Sequence, residues 1–368
     1  MSDRILVGTR KGLFRIERNK TGRWQIAQSW FLGSPVSMVL AEANGQRLHV
    51  AQNLGHFGVK IQRSQDGGQQ WTEASVPTYP PKPEGFEDKD PMRHIDIPWS
   101  TQLIWSLEAG GKNELWCGTI PGGLFHSTDD GDTWSLVRSL WDDPRRQQWS
   151  GGGYDYAGIH SIVVDPRDTR HVTIGVSTGG VWTTRDSGKS WQLIGTNGLR
   201  NAYMPPELAQ SPIHQDVHRL VQCLAKPDRL WMQHHNGIFR SDDGGENWKE
   251  LPEVKPSVFG FAVVVHPQQP DTAWFVPAQK DEQRIPVDGR MVLTRTRDAG
   301  KTFDVLSKGL PSEHAYDLVY RHGLDISRDG NRLVCGSTTG SLWVSEDQGD
   351  SWQTVSTHLP PIACVRFE

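Results

Sequence analysis

Short apolar segments alternate with polar, glycine-rich segments along the whole chain. A typical unit has a β-branched run such as IHSIVVDP, followed by two short apolar segments around a turn rich in Gly, Ser and Thr, as in LWCGTIPGGLFHS or LVCGSTTGSLWVS. Apolar runs of this length, bounded by turn residues, predict antiparallel β-strands joined as hairpins. The hydrophobic pattern therefore predicts an all-β protein made of short strands.

A second pattern recurs directly after the hairpins. The motif Ser/Thr-x-Asp-x-Gly-x-x-Trp/Phe, here called the box turn, occurs six times, with its aspartate at Asp66, Asp129, Asp186, Asp243, Asp298 and Asp347. Successive aspartates are 63, 57, 57, 55 and 49 residues apart. Each interval has room for four short strands, and repeats of four strands are typical of β-propeller blades.

The box turn has a structural explanation. An aspartate can accept hydrogen bonds from the backbone N–H groups of its own turn, glycine permits a conformation that other residues resist, and the aromatic residue fills the space beside the hairpin. Six copies spread around a propeller cannot meet at one substrate. We therefore predict that the six aspartates are structural, rather than catalytic or calcium-binding.

The two ends of the chain predict how the ring of blades closes. The segment RILVGTRKGLFRIERNKTGRWQIAQSW contains three strands, and nothing ahead of it can supply a fourth. Residues 361–368, PIACVRFE, have the pattern of the missing strand. The sequence thus predicts a seven-bladed β-propeller of four-stranded antiparallel blades, closed by the C-terminal strand joining the N-terminal blade. We expect residues 1–368 to form one domain.

Composition limits the partners and the cell compartment. The formal net charge is −4 and no basic run occurs, so we expect neither nucleic acid nor a membrane as partner. The first residues enter the strand pattern without an apolar signal core, which predicts a cytoplasmic protein. The four cysteines lie in apolar strand segments at scattered spacings, as expected for buried, reduced thiols. The oligomeric state stays open.

Long connections are predicted on the propeller face opposite the box turns. They cover residues 76–100, 141–157, 196–216, 278–290 and 307–319. Long loops on a rigid scaffold commonly carry function. Nine of the fourteen histidines are assigned to this face, namely His56, His94, His160, His214, His218, His234, His235, His314 and His322.

We predict a ligand site where these connections surround the central channel. Alignment of the innermost strands places His160, His218 and Arg321 at equivalent positions, with Gln102 one residue away from that register. The candidate catalytic carboxylates are Asp216, Asp96 and Asp155, with Asp216 preferred as acid or base. The candidate ligand-binding residues are His160, His218, Arg321, Arg219, Tyr154, Tyr156, His94, Arg284 and Asp317. The alternative is a channel filled by its own Arg–Asp pairs and water.

The box turns resemble the BNR or Asp-box repeat of sialidases, propeller xyloglucan hydrolases and sortilin-type receptors. The stretches TRTRDAGKTF, LVYRHGLD and GSTTGSLWVSEDQGDSW are also similar to bacterial propellers named glycosyl hydrolases with BNR repeats. A sialidase would imply six blades and an Arg-Ile-Pro motif, but Glu17 follows Arg15 and Ile16 where proline belongs. A sialidase is therefore not expected.

The resemblance implies a glycosyl hydrolase-like propeller that binds or cleaves a carbohydrate at the channel mouth. Hydrolysis would require two carboxylates, either about 5 Å or about 6.5–9.5 Å apart. One alternative is a non-catalytic propeller that binds a small molecule or a protein. Another is a metal-dependent enzyme that uses the histidines of the long-loop face. The sequence requires no cofactor, and a metal bound by those histidines stays open.

Overall fold

The computed structural model describes residues 3–368, which form seven four-stranded antiparallel sheets. The seven-bladed propeller predicted from the sequence is confirmed. The first blade contains β1 (Arg4–Thr9), β2 (Gly12–Arg18), β3 (Trp24–Trp30) and the last strand of the chain. The next two blades contain β4 (Val36–Glu42), β5 (Arg47–Asn53), β6 (Val59–Ser64) and β7 (Thr72–Ala74), then β8 (Leu103–Ala109), β9 (Leu115–Ile120), β10 (Leu124–Ser127) and β11 (Ser135–Leu136).

The other four blades follow in chain order. The fourth and fifth contain β12 (Ile159–Val164), β13 (Val172–Val176), β14 (Gly180–Thr184) and β15 (Gln192–Ile194), then β16 (Val217–Cys223), β17 (Lys226–His234), β18 (Gly237–Ser241) and β19 (Lys249–Glu250). The sixth and seventh contain β20 (Gly260–Val265), β21 (Ala273–Pro277), β22 (Leu293–Thr296) and β23 (Asp304–Leu306), then β24 (Leu324–Ile326), β25 (Leu333–Gly336), β26 (Leu342–Ser345) and β27 (Gln353–Ser356).

The final strand, β28 (Ile362–Phe367), closes the ring. It pairs antiparallel with β1, with Phe367 opposite Ile5 and Val365 opposite Val7. It is the innermost strand of the first blade, and the C-terminal closure predicted from the sequence therefore agrees with the observed sheet order. Pairing of both chain ends in one sheet leaves that blade without an open inner edge.

Helical structure is confined to the connections. One four-residue α-helix, α1, covers Arg138–Trp141. Short 3-10 helices cover Ala43–Gly45, Gly55–Phe57, Pro144–Gln148, Pro212–His214 and Val287–Gly289. None of the helices within residues 3–368 has the length and apolar character needed to cross a membrane.

The core lies between neighbouring blades. Its largest members are indole side chains less than 2% exposed, at Trp116, Trp182, Trp231, Trp274 and Trp343. Innermost strands such as β20 are buried along their whole length, because both of their faces pack against other blades. Outer strands such as β3 are mostly exposed. The four cysteines, Cys117, Cys223, Cys335 and Cys364, are buried free thiols, as the sequence predicts.

The box turns hold themselves together by local hydrogen bonds. In the turn around Asp243, the carboxylate accepts bonds from the Ser241 hydroxyl at 2.8 Å and the Asn247 N–H at 3.0 Å. Gly245 has a φ of +98°, and its N–H donates to the Ser241 hydroxyl oxygen. The same bond from the N–H four residues after the aspartate occurs in all six turns. These N–H donors lie on exposed or half-exposed turns, where water can also reach them.

Six of the seven innermost strands have a β-bulge or register shift near their N-terminal ends, which lie at the channel mouth. The extra residue is Ser37 in β4, Trp105 in β8, His160 in β12, His218 in β16 and Ala363 in β28, and β20 has a register shift between Gly260 and Val263. A bulge changes the direction of its side chain relative to the regular pleat. The repeated bulge therefore places one non-pleated side chain per strand near the channel mouth.

Candidate functional site

A cavity of about 1620 Å³ lies at the channel mouth, on the face opposite the box turns. Residues from all seven blades line it, and they come from the connections that lead into each innermost strand and from the turns between the second and third strands. The cavity therefore occupies the face on which the sequence predicts the ligand site.

Aromatic side chains form much of the cavity wall. Tyr154, Tyr203 and Tyr320 line it while being 47%, 43% and 36% exposed. Trp105 and Phe261 are buried beneath them, and the Trp105 ring meets the Tyr154 ring edge-on at 5.0 Å. Exposed apolar groups clustered around one cavity usually mark a binding site rather than an ordinary surface. Flat rings of this kind can pack against a sugar ring or another cyclic ligand.

Arg321 is the central cation of the cavity. The residue is 6% exposed, and its guanidinium lies 4.6 Å from the Trp105 ring centroid and 5.5 Å from that of Phe261. Its Nε has no hydrogen-bond partner, and the structure gives the side chain no ion pair with any described residue. Burial lowers the pKa of Arg321 to about 10, so the group remains charged at neutral pH.

Asp216 provides the buried carboxylate of the cavity. Its Oδ2 lies 3.3 Å from Nδ1 of His235 and accepts a 3.1 Å hydrogen bond from Tyr203. Burial opposes ionisation of Asp216, but the His235 bond and the surrounding histidines outweigh it and lower the Asp216 pKa. Burial likewise opposes protonation of His235, but Asp216 raises the His235 pKa. Asp216 and His235 thus favour an ion pair.

His218 is neutral and has a defined orientation. Its Nδ1 donates to the Gly260 carbonyl at 2.7 Å, and its ring stacks on Phe261 with centroids 4.5 Å apart. Burial lowers the His218 pKa to about 3. Because Nδ1 carries the proton, Nε2 presents its lone pair, and this atom lies 3.9 Å from Asp216 Oδ1.

The structure brings five of the predicted site residues to the cavity wall, namely Asp216, His218, Arg321, Tyr154 and Arg284. Arg284 pairs with Asp281 and lies 5.3 Å from the Phe261 ring centroid. These residues come from four different blades and their connections. The structure therefore places these five residues, which are distant in sequence, together at the channel mouth. Their roles stay predictions.

Two predicted residues lie below the cavity rather than in its wall. His160 is fully buried, with Nε2 2.7 Å from the Val217 carbonyl oxygen, so its ring links β12 to β16. Arg219 donates to the His160 carbonyl oxygen at 3.0 Å and contacts His322 Nε2 at 2.6 Å. Both side chains are used in packing between blades. Their predicted placement in the pocket is wrong.

The other predicted residues point elsewhere. Asp96, Asp155 and His94 are exposed on loops outside the cavity wall. Tyr156 packs against the cluster of Leu103, Trp105 and Ile120. The sequence predicts these residues at the channel mouth because they belong to long connections, but residues of an exposed loop can face solvent as readily as the channel, so their predicted placement in the wall is wrong.

Asp317 is also outside the wall. It is buried and accepts hydrogen bonds from the hydroxyls of Ser337 and Thr339. The carboxylate therefore braces the connection before β24 against the turn between β25 and β26. Its predicted placement as a ligand contact is wrong.

The sequence interpretation missed four side chains of the wall, Trp105, Tyr203, Phe261 and Tyr320, and it assigned His235 to this face without including it among the site residues. Trp105 occupies the bulge that His160 and His218 occupy in their strands, whereas our alignment chose Gln102. Arg321 lies in the turn before β24, not at a bulge. Hairpin alignment alone cannot show a bulge here, because the innermost strands are buried on both faces and have no alternation that an extra residue would interrupt.

No family model matches this chain. An oligoxyloglucan-reducing end-specific xyloglucanase from Emericella nidulans is 37% identical over 260 residues, which are 68% of this chain and 26% of that protein. The chain thus spans about a quarter of the length of this relative.

Two solved structures show the same architecture. The GH74 xyloglucanase from Xanthomonas campestris has a TM-score of 0.64 at 16% identity, with 97% of this chain and 53% of that chain covered. YCF48 bound to D1 peptide has a TM-score of 0.53 at 16% identity, with 88% and 81% covered. At these identities the likeness concerns the fold. The chain is a seven-bladed propeller that resembles both xyloglucanases and a peptide-binding propeller.

Proposed function

We propose that the channel mouth binds a small acidic carbohydrate, and that Arg321 holds its anionic group. The proposal rests on the observation that Arg321 is buried without a carboxylate partner among the described residues. Six arginines are buried among the described residues, and five of them pair with a carboxylate, namely Arg15, Arg146, Arg229, Arg295 and Arg332. Buried charges are normally paired. A carboxylate or phosphate in the cavity would complete the sixth pair.

The charge of the wall supports an acidic ligand. Five basic and three acidic residues line the cavity, not counting histidines, although the whole chain has a net charge of −4. Arg284 lies in the same wall as Arg321. A basic cavity in an otherwise acidic protein attracts anions and raises their local concentration.

The remaining wall supports a ring-shaped, hydroxylated ligand. Tyr154 and Tyr203 offer ring faces and hydroxyl groups, and Asp216 can accept hydrogen bonds from sugar hydroxyls. The xyloglucanase relative acts on a carbohydrate, which agrees with a sugar at this site. We therefore favour a uronic acid or an oligosaccharide that ends in one.

Hydrolysis of this ligand would require a second carboxylate. Asp216 is the one predicted catalytic carboxylate in the wall, and its lowered pKa keeps it ionised, so it is neither a proton donor nor a strong base. Asp281 also lines the cavity, but it is held by Arg284. We accordingly propose binding as the function.

The test is a calorimetric titration of the purified protein with glucuronate and with glucose, which differ in the carboxylate. We expect glucuronate to bind more tightly, and the substitution Arg321→Met to weaken glucuronate binding by about 10- to 100-fold, as for loss of a charge-assisted pair. Arg185→Met, on an exposed box turn of the opposite face, is the matched control and should bind like the wild type.

Two results would contradict the proposal. One is equal affinity for glucuronate and glucose. The other is unchanged glucuronate binding by the Arg321→Met variant. Binding of a peptide with a free C-terminal carboxylate, and of no sugar acid, would instead favour a peptide-binding propeller such as YCF48.

A further inference from the structure

Asp216, His218 and His235 form a second feature of the cavity. One ligand atom from each of these residues lies within 4.8 Å of the other two. Asp216 Oδ1 is 3.9 Å from His218 Nε2, and the other carboxylate oxygen, Oδ2, is 3.3 Å from His235 Nδ1. Around a tetrahedral metal ion with bonds of about 2.0–2.1 Å, neighbouring ligand atoms are about 3.3 Å apart. Small side-chain movements would bring the three atoms to that geometry.

His218 is oriented as metal-ligating histidines usually are. The hydrogen bond from Nδ1 to the Gly260 carbonyl fixes the tautomer and directs the Nε2 lone pair toward Asp216. Such a bond from the distal ring nitrogen is the common outer support of a metal ligand.

Asp216 supplies an independent observation. The residue is 4% exposed, and its Oδ1 has no hydrogen-bond partner, although it is the oxygen nearest His218. A buried carboxylate oxygen without a donor is costly. Its other oxygen accepts a bond from Tyr203, which would hold the carboxylate in place.

We propose that Asp216, His218 and His235 bind one divalent transition-metal ion, such as Zn²⁺. Two imidazoles and one carboxylate are a ligand set that borderline metal ions prefer. The three residues line the cavity, so the remaining coordination positions face its interior. The site goes beyond the acidic-sugar proposal, because metal binding requires none of the Arg321 contacts.

A second group in the molecule provides a contrast. Glu42, His49 and Asp130 also place three ligand atoms close together. Arg47 lies 2.7 Å from Glu42, and Arg63 lies 3.7 Å from Asp130, so arginines already neutralise that group. Among the described residues, no arginine or lysine forms an ion pair with Asp216. The cation beside Asp216 is therefore His235 itself, which can exchange its proton for a metal ion, whereas the arginines of the other group cannot.

The test uses chelator-treated full-length protein titrated with Co²⁺, followed by visible absorption and by elemental analysis after gel filtration. We expect one equivalent of Co²⁺ with ligand-field bands, displaced by Zn²⁺. Because His235 is on the cavity edge, His235→Gln should stay folded, and it should lower the Co²⁺ affinity by at least ~10-fold. His218→Ala should do the same, with folding checked by circular dichroism.

His49→Gln is the matched control, because it removes the histidine of the contrasting group. The control should bind Co²⁺ like the wild type. The proposal is overturned if the wild type binds no Co²⁺, if folded His235→Gln keeps wild-type affinity, or if His49→Gln is the variant that loses the metal. Glucuronate binding by Arg321→Met is measured separately, so failure of one proposal does not decide the other.

Discussion

The two faces of the propeller satisfy their polar groups in different ways. On the box-turn face, Asp243 accepts its hydrogen bonds from Ser241 and Asn247 of the same turn, and the arrangement repeats around the ring. On the channel-mouth face, Arg321 and Asp216 are buried with polar atoms that no described residue contacts by a hydrogen bond. Self-contained turns stabilise a fold, whereas Arg321 and Asp216 at the channel mouth each have a buried atom without a hydrogen-bond partner among the described residues, and there we propose that a ligand binds.

In the innermost strands the backbone geometry is repeated, but the chemical type of the side chain at the repeated position is not. Six of the seven have a bulge or register shift near the channel mouth, yet the bulged residues differ in chemical type, from Ser37 to Trp105 to His218. The β-bulge is repeated from strand to strand, and only the side chain at the bulge changes. A propeller can therefore build a site by substitution at one position per blade while the rest of the blade keeps its packing.

Removal of residues 361–368 should have the largest effect on stability of the changes considered for the two faces. The deletion removes β28, the innermost strand of the first blade, and exposes the inner edge of β1. We expect the truncated protein to lose cooperative thermal unfolding or to aggregate on expression. Differential scanning calorimetry measures this, and a truncated chain that melts like the full-length protein would contradict strand closure.

Arg366 is a paired arginine, and its substitution can be compared with that of Arg321, which is unpaired among the described residues. Arg366 donates to Glu108 at 2.8 Å, and both side chains are about one-fifth exposed. Arg366→Met leaves Glu108 near Asp325 without its cation, so we expect a loss of about 3 kcal/mol in the free energy of unfolding. Urea denaturation measures this loss. An unchanged midpoint would mean that pairing in the channel adds nothing to stability.

A substitution in a single box turn should have the smallest effect on the free energy of unfolding. Asp243→Ala removes the acceptor of the Asn247 N–H, but that donor can reach water, so we expect a loss of about 1 kcal/mol. Ligand binding should be unchanged, since Asp243 is on the face opposite the cavity. Urea denaturation and the glucuronate titration check both parts. Full stability together with lost binding would contradict a structural role for this aspartate.

The sequence predicts the fold better than the site, for a physical reason. Blade number and closure follow from repeat spacing and from the strand missing ahead of Arg4, and both are properties of regular pairing. The site depends on bulges and long loops, where one extra residue moves a side chain from the cavity into packing. His218 reaches the cavity, while His160 at the same bulge contacts the Val217 carbonyl oxygen.

The most direct test of the account is thermal unfolding of the wild type and Arg321→Met, each with and without glucuronate. Without ligand, Arg321→Met should melt at or above the wild-type temperature, because methionine keeps the apolar contacts and removes a buried charge that has no protein partner. Glucuronate should then raise the melting temperature of the wild type alone. An Arg321→Met variant that melts well below the wild type without ligand would show that Arg321 supports the fold, and would contradict the account.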